Sequence, residues 1–140
     1  RRENLKPGLK FEVFQIRGGG KYVPKGIIEV KEVDAKLGYC YMLSLNNISD
    51  PIIPGDLVGS PIYDKSEKKK FFVAGDFEKY QNADIKKLIQ ESGGVVVEAI
   101  NLYTDFVVLG IKNVGTARTD AIEMGVVMMN ESQMLKYLMD

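Results

Sequence analysis

The stretch that most constrains this 140-residue chain is residues 83–97, Ala-Asp-Ile-Lys-Lys-Leu-Ile-Gln-Glu-Ser-Gly-Gly-Val-Val-Val, which reads as helix, tight turn and strand. Ile85, Leu88 and Ile89 recur at helical spacing behind Asn82, a residue type suited to cap a helix N-terminus. Gly93-Gly94 then close the helix, because glycine enters the left-handed turn without steric cost. Two apolar runs flank this unit, Phe71-Phe-Val-Ala-Gly75 and Asp105-Phe-Val-Val-Leu-Gly110, and each ends in glycine. Runs without polar alternation suit strands buried on both faces, so an alternating α/β fold is expected.

The order of these motifs over residues 71–140 resembles a BRCT domain, a small module of DNA ligases and of many checkpoint and scaffold proteins. The matching features are Ala74-Gly75, the Gly93-Gly94 turn, Thr104-Asp-Phe-Val-Val-Leu-Gly110, Ala121-Ile-Glu-Met-Gly125, Val126-Val-Met128, and Asn130-Glu-Ser-Gln-Met-Leu-Lys-Tyr-Leu138. The resemblance implies a four-stranded parallel sheet flanked by three helices, two on one face and one on the other. Family members that bind phosphopeptides carry Ser or Thr before the glycine of the first strand and a Lys on the second helix. Here the first of those positions is Ala74, which has no hydroxyl for a phosphate, so the resemblance argues against phosphopeptide recognition. Many members place an aromatic in the last helix, and Met134 stands at the matching position, where a flexible apolar side chain can fill the same gap.

Residues 1–9, with Pro7-Gly8 near their end, read as a linker or the tail of an upstream element, and without an initiator Met the sequence is expected to be a piece of a longer protein. Residues 10–64 then suggest several short strands. In residues 10–17 the apolar positions are Phe11, Val13, Phe14 and Ile16, with Phe14 out of phase with the alternation that opens the run, and Gly18-Gly-Gly20 forms a hairpin tip. No helix and no Lys-Ser/Thr pair follow those glycines, so a phosphate cradle is disfavoured. Strands at 26–34, 39–45 and 57–58 complete the set, the last behind Asp50-Pro-Ile-Ile-Pro-Gly-Asp56. Short strands joined by turns predict a small, mostly antiparallel β-barrel of the SH3-like kind, with Tyr22, Tyr39, Tyr41 and Tyr63 as candidates to line a groove. Residues 65–70, with four lysines, are expected to be a solvated basic linker to the second domain at 71–140.

No His occurs, so Ser-His and Cys-His catalysis and His-based zinc sites are excluded within these residues. The single Cys40 cannot form an internal disulfide and is expected to be a small buried hydrophobe. Asp76, Glu78, Asp84, Asp105 and Asp120 invite a carboxylate-pair reading, but each has a simpler place at a helix start, strand start or loop. No catalytic, cofactor or metal residue is therefore assigned. No apolar stretch approaches the roughly 20 residues of a membrane span, and the sequence does not fix a compartment.

Charge separates the halves. Residues 1–70 hold 13 basic and 9 acidic residues, residues 71–140 hold 6 and 10, so a net +4 faces a net −4. A BRCT-like half of net −4 is poorly suited to displace counterions from a nucleic-acid backbone, whereas opposite signs suit protein contacts, self-association among them. The expected function is a non-catalytic protein-interaction and assembly module; the alternative is an adaptor of DNA repair or replication proteins. The barrel-plus-BRCT pairing is also similar to carboxy-terminal regions of planctomycete proteins, including one associated with nitrite oxidoreductase tubules, which points to assembly of tubules or filaments. Candidate partner-binding residues are Thr116, Arg118 and Asp120 on the second helix and Tyr137 on the third.

Overall fold

A computed structural model describes residues 5–34, 38–63 and 67–139. The chain divides into two compact units, Arg1–Pro61 and Ile62–Asp140. Parts of the expected tail at 1–9 and of the expected linker at 65–70 lie outside the described residues.

In the first unit, β1 (Lys10–Arg17), β2 (Lys21–Val33), β3 (Gly38–Leu45) and β4 (Leu57–Gly59) form one antiparallel sheet in the order β3-β2-β1-β4. A 3-10 turn at Gly18–Gly20 makes the hairpin tip between β1 and β2. Val13 pairs with Gly26 while Phe14 pairs with Pro24, so Lys25 is the extra residue of a β-bulge. The shift falls where the alternation of β1 loses phase. Leu9, Phe11, Val13 and Val30 make the buried apolar centre.

Two expectations are corrected here. Among the described residues the sheet is open, with β3 and β4 as its edges, so the SH3-like barrel is not closed. A three-residue β4 behind Pro51 and Pro54 offers too few backbone donors to reach across and pair with β3. Cys40 is exposed rather than buried, because β3 is an edge strand covered on neither face.

The second unit contains β5 (Lys70–Ala74), α1 (Asn82–Glu91), β6 (Val95–Val96), β7 (Phe106–Leu109), α2 (Ala117–Met124), β8 (Val127–Asn130) and α3 (Glu131–Leu135). All four strands are parallel, in the order β6-β5-β7-β8. Alternate residues of each strand feed opposite faces. Phe71, Val73 and Val108 pack with Ile85 and Ile89 of α1, with Met134 of α3, and with Ile62 and Leu138. Ala74, Val107 and Leu109 pack with Ala117 and Ala121 of α2. Two helices therefore cover one face and one the other, as the resemblance implied. Met134 is fully buried and fills the place expected of it.

Phe71 anchors the larger core, stacked on Phe106 at 5.3 Å between ring centres. A Cβ on Gly94 would lie 2.9 Å from the Phe71 ring and 2.7 Å from Ile89, so glycine is required where the α1–β6 turn crosses that core. Asn82 is the first residue of α1 and not its cap; Gln81 precedes the helix, and the Asn82 side-chain amide donates instead to the Gly75 carbonyl at 2.9 Å. A tertiary acceptor has captured the group that local preference assigns to the helix end.

Candidate interaction cleft at the carboxyl ends of the parallel strands

In open parallel sheets, ligands bind where the carboxyl ends of strands open into a crevice, usually where successive crossovers depart to opposite sides. Here that point lies between β5 and β7, and backbone closes it. Asp76 N–H donates to the Lys112 carbonyl and Ile111 N–H donates to the Asp76 carbonyl, both at 2.8 Å. The Asn113 amide adds a 2.6 Å bond to the Asp76 carboxylate. A Cβ on Gly110 would collide with the Asp76 carbonyl, so only glycine lets the loop after β5 lie this close.

An opening lies one strand along, beside β7 and β8, and holds about 420 Å³. Phe77, Leu109, Ile111, Met128 and Met129 give it apolar walls, while Arg118, Glu78 and the start of α3 supply polar groups. Arg118 is exposed and, among the described residues, its side chain has no hydrogen-bond or ion-pair partner. Its guanidinium is therefore free to meet an acceptor brought from outside.

Glu131 fixes one side of this cleft. Its carboxylate accepts from the backbone N–H groups of Glu78, Lys79 and Tyr80 at 2.9–3.1 Å, tying the loop after β5 to the start of α3. Asn130 and Gln133 form a reciprocal capping box at the same place, with bonds of 2.8 and 2.9 Å. The loop's orphan donors are met by a side chain some 50 positions along the chain, which local pattern reading could not find.

The residues singled out from sequence divide between places. Thr116 precedes α2 without capping it, and its hydroxyl donates to Asp120 at 2.9 Å. Arg118 alone of that group lines the cleft. Tyr137 lies beyond α3, packed against the core shared by α1 and α3, on the face of the sheet opposite α2. The carboxylates do not converge. Asp105 accepts from Lys70 N–H at 2.7 Å, Asp76 is engaged as above, and no group of three potential metal ligands occurs among the described residues. Ala74 is buried against the α2 face. Tyr22, Tyr39 and Tyr41 are half exposed in the first unit, while Tyr63 belongs to the second.

The first unit holds a polar constellation that the sequence did not reveal. Lys25, 2% exposed at its side chain, donates to the Pro51 carbonyl at 2.8 Å and to Asp56 at 3.0 Å, with Asp50 at 3.6 Å. Arg17 grips Asp50 with two bonds of 2.7 and 2.8 Å, and Gln15 donates to Asp56 at 2.7 Å. The Arg17 hydrogen bond, helped by the nearby charges of Arg17 and Lys25, holds the Asp50 carboxyl below its ordinary range. Asp56 is lowered first by the Ile53 N–H, which donates at 2.8 Å, and then by Lys25 and Gln15. These groups fasten the 50–56 loop to the β1–β2 hairpin.

A four-stranded parallel sheet with helices split two and one is the architecture of the BRCT class. Residues 62–138 match the BRCT (BRCA1 C Terminus) domain, and the chain belongs to that family. A BRCT domain is itself a non-catalytic module that generally mediates protein–protein contacts, in some cases with phosphopeptides or DNA. Among similar proteins, the DNA ligase of Thermosipho africanus is 28% identical over 135 residues, covering 92% of this chain and 19% of the ligase. The DNA ligase of Porphyromonas gingivalis is 24% identical over 127 residues, 91% of this chain and 18% of the ligase. That of Flavobacterium johnsoniae is 34% identical over 71 residues, half of this chain and 10% of the ligase. The chain thus spans less than a fifth of the length of these relatives.

Proposed function

We propose that this chain is the non-catalytic, protein-docking part of a larger protein of DNA joining or repair, and that its partner is held at the cleft beside Arg118. The observation that carries this reading is the BRCT match over residues 62–138 in a chain whose relatives are DNA ligases. The net −4 of residues 71–140 favours contact with protein over contact with a phosphate backbone. Thr116 and Asp120 flank Arg118 in sequence and complete the proposed α2 surface; Tyr137 would serve a separate face. Assembly of tubules or filaments draws no support from these relatives and is not put forward.

The test is cross-linked purification of the full-length protein from its source cells, with nuclease treatment as a control. Recovery of DNA-joining or repair proteins supports the reading, and persistence after nuclease marks the contact as protein-borne. Recovery of only the protein itself with an abundant unrelated enzyme would reverse the order in favour of assembly.

A further inference from the structure

We infer that the cleft beside Arg118 takes a short peptide segment in which an acidic and a basic side chain flank an apolar one. This deepens the reading above and rests on it in one respect, that the partner is a protein. The cleft carries two charges that nothing in the chain uses. Arg118 and Glu78 both line it, both are exposed, and neither side chain has a hydrogen-bond or ion-pair partner among the described residues. Arg118 comes from α2, which covers one face of the sheet, and Glu78 from the loop that Glu131 ties to α3 on the other face. Glu131 is already engaged, since its carboxylate accepts from the backbone N–H groups of Glu78, Lys79 and Tyr80.

The ends of β7 and β8 supply apolar wall beside these charges. Leu109 is buried, Met128 and Met129 are half-buried, and Ile111 is 69% exposed. Unbranched methionines adapt to the shape of an incoming apolar side chain. A volume of about 420 Å³ falls in the range of clefts that hold small ligands, so it admits one such side chain with its neighbours rather than a folded surface.

The acid is a carboxylate and not a phosphate. A guanidinium fork grips either group in two bonds. A phosphate, however, brings nearly two charges into a cleft lined by the carboxylates of Glu78 and Glu131, and like charges repel at such range. The single charge of an Asp or Glu side chain meets less opposition, and a base on the other side of the apolar residue neutralises Glu78. Exposed ion pairs contribute little each, so they set orientation and selectivity while apolar burial supplies most of the hold.

The experiment titrates the full chain, followed by amide NMR, with acetylated and amidated peptides in which Glu, Leu and Lys are joined by short glycine spacers in both orders. Each is matched by peptides carrying Gln or phosphoserine for Glu, Gly for Leu, or Gln for Lys. At least one order should shift the resonances of Phe77, Ile111, Met128 and Ser132 with a dissociation constant of about 1 mM or tighter. Replacing its Glu by Gln, or its Leu by Gly, should weaken binding about threefold or more, and phosphoserine should bind no better than Glu. Arg118→Glu should lose this peptide and gain one with Lys in place of Glu, and Glu78→Lys should gain one with Glu in place of Lys. No shift at the cleft from any peptide, tighter binding of phosphoserine, or binding indifferent to both charges would overturn the proposal. If the full-length protein loses its partner on Arg118→Glu while no peptide binds, the peptide inference fails and docking at the cleft stands. If peptides bind as described while the partner is retained, the inference stands and the cleft is not where that partner docks. Should either variant fail to fold, the comparison of Glu with Gln and phosphoserine peptides on the unaltered chain decides alone.

Discussion

Both units are built on a four-stranded sheet, yet they hold their strands in different ways. Among the described residues the second unit buries thirteen apolar side chains and the first only four, so hydrophobic burial does most of the ordering in one and cannot in the other. The first unit compensates with Lys25, Asp56, Asp50 and Arg17, which knit a proline-bearing loop to the β1–β2 hairpin. A buried ion pair adds geometry more reliably than stability, and removing one partner leaves the other's charge without compensation. The parallel sheet has no comparable need, since both of its faces are covered by helices.

The sharpest way to break this contrast is Phe71→Ala. It removes a fully buried ring from the larger core and should cost about 3–5 kcal/mol, with amide protection lost across 62–138. Lys25→Ala should act on the first unit by about 3 kcal/mol, read as faster amide exchange in 10–59.

Acid should distinguish the units by the same probe. Asp50 and Asp56 ionise below their ordinary value of 3.8, so the folded form binds protons less readily than the unfolded one. Their contribution is fully present above that value and is lost as pH falls through the depressed folded values. Protection of residues 46–56 should therefore drop on acidification in that range, and Asp50→Asn should remove part of the pH dependence.

Glu131→Ala frees three backbone donors and should cost about 1–2 kcal/mol, concentrated in the amides of 78–80. The smallest effect is chemical. Cys40 should be alkylated in the folded protein, but more slowly than a free thiol, because partial desolvation raises its pKa.

The same contrast explains what could be read from the amino acids. Phe71, Val73, Val107 and Val108 lie on strands buried on both faces, and such strands announce themselves as unbroken apolar runs. Helical spacing around Ile85 and Ile89 placed α1 within one residue of its observed start. The first unit's strands were legible in position but not in closure, because whether β4 reaches β3 depends on three-dimensional reach rather than alternation. Cys40 was misplaced for a related reason: alternation assumes that one face is covered, and an edge strand need have neither.

Lys25 left almost no trace. Its burial requires a bulge at that residue and an acid 31 positions away, and the only local hint was Phe14 out of phase on the partner strand. The cleft was legible only through Arg118. Its walls depend on β8 passing without a loop into α3, and on Glu131 drawing the loop after β5 alongside.

The most direct test of the central claim compares the full-length protein with its Arg118→Glu variant in nuclease-treated, cross-linked purifications. A change at an exposed position should leave stability within about 0.5 kcal/mol. The account predicts that the partner recovered with the unaltered protein is lost from the variant while the melting temperature stays nearly constant. Equal recovery from both, with the variant folded, would contradict docking at this cleft.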